Sequence, residues 1–332
     1  MESPLVSILI PNYNKAPYLR ETLDSVLNQT YTHWECIIVD DHSTDGSWEI
    51  LEEYVAKDSR FQLYKRPNNR EAGGNPARNF AFEKSNGKYI QWLDSDDLIH
   101  PQKIEKQVAQ LSTSTQEMVS VANWTSFIGE GMIETIDPYE HCKTYSPNRW
   151  MDYPDNGLQL LLKLWEEISF VPNHAYLISS SIHLKAGLWD ENLIRNQDGE
   201  LMARVLLESD GICYLDDLLT YYRKPDRRHQ SRKETFESYQ SYLDSLKSYE
   251  SHILEKQSDL RVKRALVANY ERYILMVIFQ FPDLAKEAFK KIKRLQPLWK
   301  IDAKSPKILI SCYLFGMDAT LFLRNKLLGM SY

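Results

Sequence analysis

The sequence predicts an α/β protein, a mostly parallel sheet flanked by helices, followed by a helical C-terminal extension. Three observations carry this. Over the first 125 residues, short β-branched runs alternate with amphipathic helical patterns, which implies strands joined by helical crossovers. Several of these strands end in polar, turn-forming clusters: "PNYN", "DDHSTDGS" and "DSDD". After Arg223 the pattern changes to a basic polar linker, "KPDRRHQSRKE", and then to helix alone.

In chain order, Val6 to Ile10 reads as a strand, and Leu19, Leu23, Val26 and Leu27 then fall on one helical face with Pro17 in the first turn. "WECIIV" from Trp34 is the second strand, and a helix from about Ser47 turns Leu51, Tyr54 and Val55 inward. Thr44 and Asp45 are placed to cap it. "FQLYK" from Phe61 precedes a helix opening at Pro76, and "YIQWL" from Tyr89 precedes a helix marked by Ile104, Val108 and Leu111. "MVSVA" from Met118 reads as a fifth strand. From about Asn123 to Leu160 the pattern weakens into an aromatic, proline-rich stretch. Regularity returns with "NHAYLISSSIHLKAG", a helix through "GELMARVLLES" and a short strand pair in "GICYLDDLLTYYR". Beyond residue 234, Tyr242, Leu246, Tyr249 and Ile253 keep helical spacing.

The totals exclude several classes. A chain of 332 residues that is 43% hydrophobic and 26% charged is globular and water-soluble in character. A net charge of −6 gives no support for nucleic-acid binding, which needs a broad basic surface. Cys36, Cys142, Cys213 and Cys312 form no Cys-x-x-Cys pair, so neither a zinc site nor a disulfide framework is expected. Cys36 and Cys213 lie in apolar runs and read as core thiols in a reducing compartment. The opening "MESPLVSILIPNYN" lacks the pattern of a secretory signal, and no apolar run reaches the roughly 18 residues of a membrane span. The expectation is a cytoplasmic protein, with contact at the inner face of the membrane left open.

The chemistry concentrates in "KYIQWLDSDDLIHP", where a buried strand ends in Asp94, Asp96 and Asp97. An Asp-x-Asp at a strand end offers a partial shell to Mg²⁺ or Mn²⁺, which use one or two carboxylates together with substrate phosphates. Taken alone it is more often a solvated turn. Asp41 after the second strand is placed to accept hydrogen bonds from a base or a ribose. Arg78, on the first turn of the helix in "GGNPARNFAF", suits a phosphate fork, against the usual fate of a lone Arg in a surface ion pair.

Together, "VSILIPNYNKAPYLRETLDSVLNQTY", "ECIIVDDHSTDGS", "GGNPARN", "GKYIQWLDSDDLIHPQKI" and "WDENLIRNQDGELMARVL" resemble glycosyltransferase family 2 over residues 5 to 225. The resemblance implies a GT-A fold with a Rossmann-like sheet in residues 1–225. A nucleotide-sugar half covers about 1–122, an acceptor half about 123–225, and 226–332 form the helical extension. It implies that Pro11, Tyr13 and Asp41 hold the nucleotide base, that Arg78 lies near base and phosphates, that Asp94 binds ribose, and that Asp96 is the direct metal ligand. The family's general base is commonly in a Glu-Asp pair. This chain has "NQDGE", which leaves Asp198 as the base and Glu200 as a weaker substitute. Some members add a His ligand, for which His229 lies late. Trp124, His174 and Trp189 are candidates for an acceptor pocket, or for core packing.

The implied activity is inverting, metal-dependent transfer of a sugar from a nucleotide diphosphate to a hydroxyl of a glycan or lipid-linked acceptor, in surface polysaccharide assembly. UDP is the default carrier, with GDP and dTDP as alternatives. A sugar nucleotidyltransferase or a dinucleotide oxidoreductase would want glycines after the first strand, and "PNYNKAPY" has none. A non-catalytic nucleotide- or sugar-binding relative is the remaining alternative. In the extension, "YILMVIFQF" from Tyr273 and "ILISCYLFGM" from Ile308 are apolar but short. Lys304, Lys307, Arg324 and Lys326 flank the second, which suits either a helix on anionic lipid or packing on the catalytic domain or on a second subunit in a homodimer.

Overall fold

The computed structural model describes residues 3–128, 152–224, 234–296 and 316. The chain divides into two compact units, Met1–Lys233 and Glu234–Tyr332.

The first unit is built on an eight-stranded sheet in the order β3-β2-β1-β4-β7-β6-β8-β5. Its nucleus is parallel: β1 (Val6–Asn12) lies between β2 (Trp34–Asp40) and β4 (Tyr89–Trp92), and β3 (Phe61–Lys65) extends β2. Every residue of β1, β2 and β4 is buried, because helices cover both faces, so these strands read as mainly apolar runs rather than alternating ones. Helix α1 (Ala16–Leu27) buries Leu19, Leu23 and Val26 completely against this sheet. Each such side chain contributes about 2 kcal/mol of transfer free energy. Helices α2 (Ser47–Lys57), α3 (Gly74–Lys84) and α4 (Lys103–Ser112) complete the crossovers.

Beyond β4 the sheet turns mixed. β7 (Tyr176–Ser179) runs antiparallel to β4 and to β6 (Met118–Ile128), while β8 (Gly211–Lys224) runs parallel to β6 and antiparallel to the short β5 (Leu98–Ile99). The expected strand pair in "GICYLDDLLTYYR" is instead the single 14-residue β8, with irregular pairing opposite Ala122 to Trp124. That irregularity lets exposed Asp216 and Asp217 interrupt an otherwise apolar strand without ending it. The fifth strand is longer than "MVSVA", because β8 supplies partners as far as Ile128. α5 (Gly157–Glu166) begins at the end of the weak stretch, and the helix expected at Pro76 begins two residues earlier, at Gly74. Two further helices, α6 (Ser180–Ala186) and α7 (Gln197–Glu208), follow β7. Cys36 is buried and Cys213 half-buried, both as free thiols.

The second unit contains α8 (Phe236–Lys256), α9 (Leu260–Val277) and α10 (Pro282–Leu295). Thr235 and Asp259 cap α8 and α9 by accepting from Ser238 N and Val262 N. α10 buries Leu284, Ala288, Phe289, Ile292 and Leu295, leaves Lys290 and Lys293 exposed, and pairs Lys291 with Glu250 of α8 at 3.1 Å. In the apolar run from Tyr273, Tyr273, Ile274, Val277 and Ile278 are buried, whereas Leu275, Met276 and Phe279 are exposed. Apart from Gly316, the run from Ile308 lies outside the described residues, as do its flanking cations and His229. Among the described residues, no helix is long and apolar enough to cross a membrane.

Candidate functional site

Because β1, β2 and β4 are parallel, their carboxyl ends share one edge of the sheet, where the loops of such folds converge. A cleft of about 420 Å³ opens there, lined by Pro11, Tyr13, Lys15, Asp41, Gly74, Arg78, Asp94, Asp96, Tyr222 and Arg223 among others. Pro11, Tyr13, Asp41, Arg78, Asp94 and Asp96, the described residues expected to hold nucleotide or metal, therefore line a single cleft.

The three carboxylates after β4 each have a defined partner. Arg78 Nη2 donates to Asp94 Oδ1 at 2.7 Å. Burial alone would raise the Asp94 carboxyl, but the Arg78 guanidinium outweighs it and holds the group below the usual aspartate value. Asp96 Oδ2 accepts from Lys15 Nζ at 2.6 Å. Burial works against the Lys15 charge, yet Asp96 more than compensates and its pKa is raised. Asp97 is buried: its Oδ1 accepts from Arg223 N at 2.7 Å and its Oδ2 lies 3.0 Å from His174 Nδ1. Burial, aided by the neighbouring carboxylates, pushes Asp97 up to about 6, against the opposing effect of His174. Arg223 also donates from Nε to Asp96 O and from Nη2 to Glu21 Oε2, each at 2.7 Å, tying β8 to the acidic turn and to α1.

After β2 the two aspartates differ. Asp40 points into a structural network, accepting from Asn12 Nδ2 at 2.8 Å and from Ser43 N at 2.9 Å. Asp41 lines the cleft. Its Oδ2 accepts from Gly73 N at 2.7 Å, and Arg66 Nε donates to its Oδ1. A second hollow of about 540 Å³ adjoins it, lined by Tyr13, Asp41, His42, Arg66, Asn68, Arg70, Ala72 and Gly73. Asp45 accepts from Ser47 N at 3.0 Å and from Ala16 N at 2.9 Å, so it fastens the starts of both α1 and α2. The α2 N-cap itself is Gly46, in the left-handed region at φ 88°, and Thr44 N donates to Asn14 Oδ1.

The first turn of α3 joins this cleft to the segment before α7. Asn75 Nδ2 donates to Asp190 O at 2.7 Å, and Asn79 Nδ2 to Trp189 O at 2.9 Å, while Asn79 Oδ1 accepts from Trp189 N at 3.0 Å. Between these asparagines, the Arg78 guanidinium lies 4.5 Å from the Trp189 ring centroid. Gly74 leaves room for it: a Cβ there would stand 2.8 Å from Arg78 Nη1. Asp198, the second residue of α7, is open to solvent at its rim yet surrounded closely enough that burial raises its carboxyl, with Asp94 adding and Arg78 opposing. Arg78 is raised in turn, because Asp94 and Asp198 together outweigh its burial. Glu200 is bound to Arg204 at 2.8 and 2.7 Å and buried, which removes it from contention as a base.

The expected acceptor residues separate. Trp124 is half-buried against Phe170, at 4.8 Å between ring centroids, and Phe170 is exposed. His174 and Trp189 are only 2% and 3% exposed and present no face to a ligand, because His174 is enclosed with Asp97 and Trp189 is packed against Trp92. Lys15, Arg66 and Arg223 were not singled out by the sequence. Each lies far in sequence from its carboxylate or carbonyl partner, at separations of 81, 25 and 127 residues.

Residues 7–172 match the family model described as glycosyl transferase family 2. The chain is 30% identical over 230 residues to the uncharacterized glycosyltransferase MJ1057 of Methanocaldococcus jannaschii, covering 68% of this chain and 73% of that one. It is 46% identical over 105 residues to TuaG of Bacillus subtilis, named as a teichuronic acid biosynthesis glycosyltransferase, covering 32% of this chain and 41% of that one. The chain thus spans about two fifths of the length of TuaG and of a similar Haemophilus influenzae glycosyltransferase. Among solved structures, S. aureus TarS 1–349 in complex with UDP-GlcNAc superposes with a TM-score of 0.72 at 18% identity over 98% of this chain and 93% of that one. A Pyrobaculum calidifontis mannosyltransferase in complex with GDP-Man and Mn²⁺ superposes with 0.57 at 15% identity, over 97% and 81%. These two share the fold, with the mostly parallel sheet and flanking helices of GT-A glycosyltransferases. On the family model and on the similarity to MJ1057, the chain belongs to glycosyl transferase family 2.

Proposed function

We propose that this protein transfers a sugar from a nucleotide diphosphate, with UDP as the carrier, to a hydroxyl of a glycan or lipid-linked acceptor, with inversion at the anomeric carbon. The observation that carries this reading is Arg78, which lines the cleft, donates to Asp94 and lies within electrostatic reach of the solvent-open carboxylate of Asp198. A cation held at that point sits where a leaving diphosphate builds charge, next to a group able to take a proton.

Pro11, Tyr13 and Asp41 form the base end of the cleft, and Asp94 the ribose end. Asp96 offers a carboxylate in the open part of the same cleft. Among the described residues no group of three or more His, Cys, Asp or Glu side chains forms a cage for a metal. That fits Mg²⁺ or Mn²⁺ held by one or two carboxylates and completed by substrate phosphates. When bound, such an ion adds positive charge opposite the leaving diphosphate.

In the transfer, Asp198 takes the acceptor hydroxyl proton as that oxygen bonds to the anomeric carbon. The bond from that carbon to the diphosphate oxygen breaks on the opposite side, and its electrons leave with the nucleotide. Arg78 stabilises the departing charge and Trp189 fixes the plane of its guanidinium. Trp124 and Phe170 supply aromatic surface for the acceptor. Polysaccharide assembly as the setting draws on the naming of TuaG and on the family.

The test is titration calorimetry of UDP, GDP and dTDP with Mn²⁺ and then with chelator. UDP is expected to bind, and to weaken at least tenfold when the metal is removed. Absence of binding by all three nucleotides overturns the reading. Asp198→Asn is expected to retain UDP affinity while transfer falls by about 10²- to 10⁴-fold, the usual share of a general base; undiminished turnover removes the base assignment.

A further inference from the structure

Asp94 and Asp96 meet their cations in different ways. Arg78 is buried, clamped by Asn75 at 3.2 Å and flanked by Trp189. Lys15 reaches Asp96 across the mouth of the cleft, and the two side chains remain 37% and 24% exposed. The backbone of Lys15 is fixed, since its N–H donates to Ser47 Oγ at 3.1 Å. Its ammonium has Asp96 as carboxylate partner and the Tyr18 ring 5.9 Å away. A half-exposed lysine on four rotatable carbons can change partner at little cost, whereas a buried, stacked guanidinium cannot.

Resting on the donor-site reading above, we propose that Lys15 is a displaceable counter-ion: it neutralises Asp96 in the free protein and swings onto the diphosphate when the donor arrives. An ammonium 2.6 Å from Asp96 Oδ2 repels a divalent cation approaching the same carboxylate. A diphosphate relieves the conflict, because it supplies anionic oxygens to both cations at once. Metal capture at Asp96 is thereby conditional on donor, and the coupling acts equally in both directions. An exposed ion pair of purely structural use would contribute little and would leave both ligands indifferent to its loss.

The proposal predicts effects of opposite sign in one variant. Wild type, Lys15→Met and Lys15→Arg are titrated with Mn²⁺ alone by electron paramagnetic resonance. They are titrated with inorganic pyrophosphate in chelator by calorimetry, which removes any dependence on the identity of the base. Lys15→Met is expected to bind Mn²⁺ about tenfold more tightly and pyrophosphate about tenfold more weakly, a coupling of ordinary size. Lys15→Arg is expected to keep the wild-type order of affinities. Both affinities unchanged, or both weakened, in Lys15→Met overturns the proposal while wild-type binding of UDP with Mn²⁺ leaves the donor-site reading standing. Wild type that binds neither pyrophosphate nor UDP with Mn²⁺ overturns both together.

Discussion

Arg78 shows how much of the site depends on single side chains. It pairs with Asp94, feels the charge of Asp198 and lies against Trp189, and Gly74 gives its guanidinium the space to do so. Gly74→Ala is expected to weaken UDP binding by about tenfold, the worth of one charge-assisted hydrogen bond, with little loss of thermal stability. Calorimetry alongside a melting curve checks it. On the proposed role of Asp198 as the base, the pH dependence of transfer is expected to follow this carboxyl. Burial places its carboxyl above the ordinary aspartate value, and a base acts only when ionised. Transfer is therefore expected to be lost as pH falls through that raised value, giving an acid limb above the usual carboxylate range that is absent from the residual activity of Asp198→Asn. The types and positions of these residues were legible in the sequence. Their cationic partners were not, because Lys15, Arg66 and Arg223 reach their partners through folding and have no local pattern.

Among elements, α3 does two tasks. Its buried first turn aims Arg78 at the cleft, and Asn75 and Asn79 hold the 189–193 segment that leads into α7 and Asp198. The pattern "GGNPARN" announced a helix with a useful arginine but gave no sign that its asparagines anchor a segment more than a hundred residues away. β8 was misread for a similar reason: Asp216 and Asp217 look like a turn, and only pairing with β6 along its length carries the strand through them. The contact of α5 with α7 rests on Gly157, where a Cβ would stand 1.9 Å from Leu206 O. Gly157→Ala is expected to cost about 2 kcal/mol through overpacking, seen as a lower urea midpoint at unchanged slope.

At the scale of the molecule, parallel pairing of β1, β2 and β4 gathers the ends of three strands into one cleft, though they are separated by long stretches of chain. The second unit has its own core, in which Tyr270 Oη donates to Glu250 at 2.7 Å and Tyr273 Oη to Tyr239 O at 2.9 Å. Removal of residues 304–332 tests the two readings of the apolar run from Ile308: loss of co-sedimentation with anionic liposomes assigns it to the membrane, and unchanged co-sedimentation removes that reading.

The sequence by itself determined the α/β class, the strand-end carboxylates and Arg78, and through five motifs in order the family, because periodicity and short motifs are local properties of the chain. Tertiary structure alone decided which cation faces each carboxylate, and that Glu200 is bound to Arg204 while Asp198 stays open. It also decided that His174 and Trp189 belong to the core. Those outcomes depend on contacts between distant segments, and on burial, which is set by everything that packs around a side chain.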